Sequence, residues 1–183
     1  MQEMRVALFG GSFNPPHLGH QLVALTVLET HPVDALWMVP CFKHPFDKAL
    51  APYADRLAMC GLAARALGPR VRVSDVEGRL GGESRTLLTV QALLREEPSL
   101  EIQLVVGADL VNEVATWYGA DELQRLVSFV VVGRAGAPGP GGVAMPAISS
   151  TDVRARLAAG DSVDALLPRV VLDYVRERKL YGA

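Results

Sequence analysis

The stretch that most constrains this chain is Gly10-Gly11-Ser12-Phe13-Asn14-Pro15-Pro16-His17-Leu18-Gly19-His20. The apolar run Val6 to Phe9 precedes it and reads as a buried strand; the apolar-periodic run Leu22 to Leu28 follows and reads as a helix. Strand, glycine turn and helix start, in that order, suit phosphate, because a helix N-terminus presents orphan N–H groups and the positive end of its dipole. Gly10 and Gly11 let the backbone approach a ligand closely. His17 and His20 share a face if the first helical turn holds both. Two imidazoles there can donate to phosphate oxygens and stabilise charge that develops in transfer. The pattern is neither GxGxxG nor a P-loop, since no Gly-Lys-Ser/Thr follows. No HExxH pattern or cysteine cluster supplies further ligands, so no protein metal centre is expected.

Taken in order, the chain alternates strands and helices. Strands are expected at Arg5–Phe9, Ala35–Val39, Val71–Val76, Ile102–Val106 and Phe129–Val132, with a short sixth within Val143–Ile148. Helices are expected at Leu18–Glu29, Tyr53–Leu67, Ser84–Glu96 (capped by Ser84 or Thr86), Ala120–Leu126, Ser149–Ala159, Val163–Leu167 and Arg169–Leu180. Glu77–Glu83 and the glycine- and proline-rich 135–142 read as loops. This order predicts an α/β fold: a Rossmann-like, doubly wound, mainly parallel sheet of five to six strands with a C-terminal helical segment, in one domain over residues 1–183. Ligands in such sheets lie beyond the C-terminal strand ends, near the topological switch point.

A second motif, Ile148-Ser149-Ser150-Thr151-Asp152-Val153-Arg154, places three hydroxyl residues at a helix start with an arginine fork one turn in. Such a group can cap the helix, hold polyphosphate, or do both. The net charge of −2 gives no basic footprint, so nucleic acid is not an expected partner. No apolar run approaches a membrane span, and no charged-then-apolar leader opens the sequence, so a cytoplasmic location without membrane attachment is expected. Cys41 and Cys60 fit reduced thiols better than a disulfide framework. Lysine is scarce, and Lys43 and Lys48 share one loop.

With the two phosphate motifs together, the chain resembles the nucleotidyltransferase superfamily whose hallmark is H-x-G-H after a glycine turn. Within it the chain is similar to bacterial nicotinate-nucleotide adenylyltransferases. The likeness runs through Asp55-Arg56-Leu57-Ala58-Met59, Ser74-Asp75-Val76-Glu77, Gly107-Ala108-Asp109 with Trp117-Tyr118, and the tail Tyr174 to Tyr181. The resemblance implies adenylyl transfer from ATP to nicotinic acid mononucleotide, giving deamido-NAD and pyrophosphate without a covalent intermediate. It implies that His17, His20 and Arg154 carry catalysis. Gly10, Gly11, Ser12, Phe13, Gly107, Asp109, Arg134, Ser149, Ser150 and Thr151 would bind ATP. Lys48, Arg85, Thr86 and Trp117 would bind the second substrate, with Trp117 as the platform for the pyridine ring. Mg²⁺ would be carried mainly by the ATP phosphates.

At Ser84-Arg85-Thr86 the chain departs from the family, whose members usually have an aromatic residue between the Ser and Thr. An arginine there can offer a charge-assisted bond to the nicotinate carboxylate. The His44-to-Lys48 stretch matches the family's Pro-Pro-His-Lys loop only loosely. Two other readings stay open: a sister adenylyltransferase using nicotinamide mononucleotide or another phosphorylated acceptor, and a catalytically inactive nucleotide-binding regulatory protein. Homo-oligomer formation is also left open.

Overall fold

The computed structural model describes residues 4–44, 49–133 and 145–183. Five parallel strands, β1 (Met4–Gly11), β2 (Ala35–Pro40), β3 (Val71–Val73), β4 (Leu100–Gly107) and β5 (Ser128–Val132), lie in the order β3-β2-β1-β4-β5. The chain winds outward from the central β1 through β2 and β3, then returns to build β4 and β5 on the other side. β1 and β2 stay paired as far as Gly11 and Pro40, whereas the β1–β4 register ends at Leu8 and Leu104. Beyond that pair the two central strands part, and a crevice opens at the switch point.

The central strands are buried on both faces, so they read as apolar runs rather than as alternation. On one face Val6 and Leu8 of β1 pack with α4 (Thr86–Glu96) and α5 (Ala120–Leu126) through Leu87, Val90, Leu93 and Leu123. On the other, Ala7 packs with α1 (Leu18–Thr30) through Val23, Ala24, Val27 and Leu28. Helix α2 (Tyr53–Arg65) serves two cores with adjacent i, i+4 pairs. Cys60 and Ala64 face the sheet, while Met59 and Ala63 meet α6 (Ser150–Ala159) and α7 (Arg169–Glu177) in a third cluster.

Several expected boundaries move, each for a visible reason. β3 stops at Val73, where Ser74 N–H donates to the Met38 carbonyl and the Ser74 hydroxyl accepts from Val76 N–H. The segment expected as a strand end and loop instead forms α3 (Val76–Leu80), which buries the adjacent residues Val76 and Glu77 together. α4 starts at Thr86 with extended Arg85 as its cap residue, and neither Ser84 nor Thr86 caps it. The Ser84 hydroxyl accepts from Phe42 N–H at 2.9 Å instead. A 3₁₀ turn occupies Val111–Thr116. Residues 163–167 form a hydrogen-bonded turn, not a helix: Leu166 and Leu167 N–H both donate to the Val163 carbonyl, Pro168 follows, and the Leu166 carbonyl accepts from Leu18 N–H, an orphan donor of the first turn of α1. The last helix ends at Glu177, where Lys179 and Tyr181 take left-handed backbone angles and fold the tail inward. Residues 145–148 are not a strand; the rest of the expected sixth strand and the 135–142 loop lie outside the described residues.

One side chain sets where these segments meet. Arg56 is 1% exposed, and it donates to the carbonyls of Ala51, Ser12, Cys41 and Phe42 at 2.7–3.2 Å. It thereby joins the glycine turn, the exit of β2 and the start of α2. Its neighbour Asp55 accepts from Tyr174 Oη at 2.8 Å and Arg178 Nε at 3.1 Å, tying α2 to α7. Replacing Arg56 by Met keeps most of the volume but strands these buried acceptors. Arg56→Met is expected to lower unfolding free energy by roughly 3 kcal/mol, since each unsatisfied buried group costs about 1–3. Urea denaturation measures it; a loss under about 1 kcal/mol, the scale of an ordinary substitution, would show that the brace is dispensable.

Candidate active site

The glycine turn leaves β1 after Gly11 and leads toward α1 through a buried Phe13 with φ of 44°. A Cβ at Gly11 would come within 3.3 Å of the Phe13 ring, so this position keeps the aromatic seated under the turn. Phe13 in turn meets His20 edge-on, with ring centroids 4.9 Å apart. His17 caps α1 in extended conformation, and its backbone N–H donates to His20 Nδ1 at 3.0 Å. Because Nδ1 accepts, the proton of a neutral His20 ring sits on Nε2, which becomes a donor. The two imidazoles stack with centroids 3.7 Å apart. The glycine between them is needed for that stack. A Cβ at Gly19 would lie 3.0 Å from Cε1 and Nδ1 of His17 and 3.6 Å from Ile148 Cβ.

Helix α6 is bound to the same turn. Ser149 caps it, its hydroxyl accepting from Asp152 N–H at 3.1 Å. Ser150 Oγ donates to the Pro15 carbonyl at 2.9 Å, and Arg154 Nη1 to the Asn14 carbonyl at 2.8 Å. Arg154 Nη2 lies 3.4 Å from Thr151 Oγ1. The Ser149 and Ser150 hydroxyls thus already serve the fold, while Thr151 is exposed. His17, His20, Ser149–Thr151 and Arg154 gather around Asn14-Pro15.

A cavity of about 620 Å³ opens at the switch point on the α3–α4 side. Gly10, Gly11 and Ser12 form one wall; Arg85, Thr86 and Thr89 at the start of α4 form another. Trp117 and Tyr118 close a third side. Among its described lining residues are none of His17, His20, Gly107, Asp109, Ser149–Thr151 or Arg154. The glycine turn is what the cavity and the histidine cluster have in common. Gly107 ends β4, paired with Val132, and Asp109 is exposed just beyond it. Lys48 and Arg134 lie outside the described residues.

Three supporting residues stand in the quoted motifs but received no role from the sequence. Asn14 is 1% exposed; its Oδ1 accepts from Ala51 N–H at 3.0 Å and from Tyr181 Oη at 2.8 Å. Burial pushes the Tyr181 phenol up, so it keeps its proton and remains the donor in that bond. Glu77, in the cavity wall, accepts from Thr89 Oγ1 at 2.5 Å and from Phe42 N–H at 3.3 Å. Arg56 had a legible signal: with Met59, Cys60 and Ala63 it follows the i, i+3, i+4, i+7 pattern of a buried helix face. No comparable signal marks Asn14. No group of three or more His, Cys, Asp or Glu able to hold a metal occurs among the described residues.

Comparison with known proteins gives a consistent set of likenesses. Residues 8–156 match the family described as Cytidylyltransferase-like. A probable nicotinate-nucleotide adenylyltransferase of Anaeromyxobacter dehalogenans (strain 2CP-C) is 48% identical over 180 residues, 96% of each chain. One from Myxococcus xanthus (strain DK1622) is 35% identical over 181 residues, 98% of this chain and 95% of its own. A putative nicotinate-nucleotide adenylyltransferase from Vibrio parahaemolyticus superposes with a TM-score of 0.75 at 23% identity, covering 97% of this chain and 95% of that one. The nicotinic acid mononucleotide adenylyltransferase of Plasmodium falciparum complexed with NaAD gives 0.76 at 16% identity, covering 98% of both chains. At those identities the structural likeness speaks for the fold alone.

The contact at Gly19 yields a test that needs no substrate. Gly19→Ala should push the His17 ring off His20 and leave the sheet intact. Histidine side-chain NMR should show both rings losing their mutual ring-current shifts, with a small fall in melting temperature. Unchanged imidazole shifts would mean that the helix absorbs the methyl group and the glycine does not seat the pair.

Proposed function

The chain belongs to the cytidylyltransferase-like family of nucleotidyltransferases, and from that premise we propose that it joins ATP to nicotinic acid mononucleotide, giving deamido-NAD and pyrophosphate in NAD biosynthesis. The observation that carries this reading is the stacked histidine pair at the start of α1, one glycine turn away from a cavity that reaches Trp117. In this reading the 5′-phosphate of the mononucleotide attacks the α-phosphorus of ATP in line. A new P–O bond forms, the bond from the α-phosphorus to the bridging oxygen breaks, and pyrophosphate leaves with that electron pair. Little covalent chemistry is asked of the protein, which has to align two phosphates and stabilise charge.

The placements support the following roles. His20 donates through Nε2 to a non-bridging oxygen of the α-phosphate, in an orientation fixed by the bond to its Nδ1. His17 packs beside it and holds the ring in place. Arg154, anchored through one arm to the Asn14 carbonyl, presents the rest of its fork with Thr151 to the β- and γ-phosphates. The Gly10–Ser12 backbone lies along the phosphate path, and Gly107 and Asp109 border the adenosine. Trp117 supports the pyridine ring, with Thr86 on the facing wall; the roles of Arg134 toward ATP and of Lys48 toward the mononucleotide rest on the family resemblance alone.

A divalent metal accompanies ATP throughout nucleotidyltransferases. The ATP triphosphate would supply the oxygen donors, as is usual for Mg²⁺ bound with a nucleotide. When bound, Mg²⁺ neutralises phosphate charge. The whole chain acts as one domain. No helix among the described residues is long and apolar enough to cross a membrane.

Incubating the protein with ATP, Mg²⁺ and one acceptor at a time tests the reaction. Pyrophosphate should appear with nicotinic acid mononucleotide and not with phosphopantetheine or FMN; release with either of those alone would reassign the enzyme to a sister activity. His20→Ala should lower kcat about 10²- to 10³-fold, the usual effect of removing one such donor, with a small change in the KM for ATP. Near-normal turnover in a folded His20→Ala protein would remove His20 from the chemistry.

A further inference from the structure

We infer that Arg85 is the specificity-determining residue for the acid mononucleotide, and that Glu83 is the counter-ion it exchanges for the carboxylate of the nicotinate ring. The inference rests on the reaction proposed above and deepens it.

A cation in the cavity would suit a carboxylate-bearing substrate. Its described lining includes two carboxylates, Glu77 and Glu113, and a single permanently charged cation, Arg85. Glu77 is committed to Thr89 and to Phe42 N–H, so it does not compete for the guanidinium. The Arg85 backbone is held from both sides. Ser84 N–H donates to the Lys43 carbonyl at 2.9 Å, and the Arg85 carbonyl accepts from Thr89 N–H at 3.1 Å in the first turn of α4. From that fixed point the guanidinium carbon lies 5.7 Å from the centroid of the Tyr118 ring, next in sequence to the Trp117 platform. The arginine is therefore on the same cavity rim as the residue that would carry the pyridine.

Its present partner is replaceable. Nη2 donates to Glu83 Oε2 at 2.9 Å, a single-arm contact between side chains 38% and 42% exposed. A water-exposed pair of this kind contributes little to stability. A carboxylate on a ring held inside the cavity can take both arms of the fork in less water, which makes the contact stronger. The carboxamide of nicotinamide mononucleotide has no charge to offer, and to seat it Arg85 would stay with Glu83.

The experiment compares kcat/KM for the two mononucleotides with ATP and Mg²⁺ in wild type, Arg85→Ala, Arg85→Lys and Glu83→Gln. Arg85→Ala should lower the acid-to-amide ratio about 10- to 100-fold, the range for one charge-assisted hydrogen bond. The loss should appear in the KM for the acid, with the amide kinetics as an internal control for folding. Arg85→Lys should recover only part of the ratio, because the planar fork is gone. Glu83→Gln should lower the KM for the acid and leave that for the amide unchanged. An unchanged ratio in Arg85→Ala, or equal losses for both substrates, would overturn the assignment; an acid KM that does not fall in Glu83→Gln would overturn the exchange. A wild-type protein that releases pyrophosphate with neither mononucleotide would defeat the reaction itself, an outcome distinct from an active enzyme indifferent to position 85.

Discussion

Four backbone carbonyls from separate parts of the chain converge on one buried guanidinium, and the site depends on that convergence. Ser12 belongs to the turn after β1, Cys41 and Phe42 to the exit of β2, and Ala51 to the approach to α2. Loop carbonyls at the C-terminal edge of a parallel sheet have no ladder partners, and burying them without donors is costly. Arg56 satisfies them together because its fork spreads its donors at fixed angles. Hydrogen bonds to neutral carbonyls let the charge stay buried without an acidic partner, and Asp55 beside it turns away to meet α7.

Rigidity then passes from the brace to the chemistry through short contacts. The turn held by Arg56 at Ser12 continues into Phe13, whose ring supports His20, and into Asn14, whose carbonyl holds Arg154. Asn14 is itself held by Ala51 and by the tail hydroxyl of Tyr181. Phosphoryl-type transfer gains mainly from alignment, where small misplacements are expensive. A site in which His20 and Arg154 are each tied to the backbone by a part-buried hydrogen bond meets that requirement better than one on free loops. The second-substrate side is built differently: Arg85 and Tyr118 sit on a solvent-exposed rim. In the proposed reaction, phosphate alignment would fall to the rigid part of the fold and discrimination between rings to the exposed rim.

The elements that the sequence located well are those with local causes. β1, α1, α5 and α6 appear within two residues of expectation, because apolar periodicity, a glycine stop or a serine cap acts over a few residues. The misplaced elements answer to distant partners. The Ser84 hydroxyl, expected as a cap of α4, accepts from Phe42 N–H instead, and the carbonyl of Leu166, in the turn found where a helix was expected, accepts from Leu18 N–H. Neither competitor lies within forty residues along the chain of the group it takes.

The sequence by itself determined the strand–turn–helix frame, the parallel α/β order, the H-x-G-H spacing, and the hydroxyl-led helix carrying Arg154. Each follows from residue types at short spacing. Tertiary structure alone decided that Asn14 meets Tyr181 across 167 positions, that Arg56 faces carbonyls, and that the histidine cluster and the Trp117 cavity lie on separate sides of one turn. Every residue carries a carbonyl, so the partners of a buried guanidinium leave no mark in residue identity. They exist only once the chain has folded and brought those backbone groups together out of water.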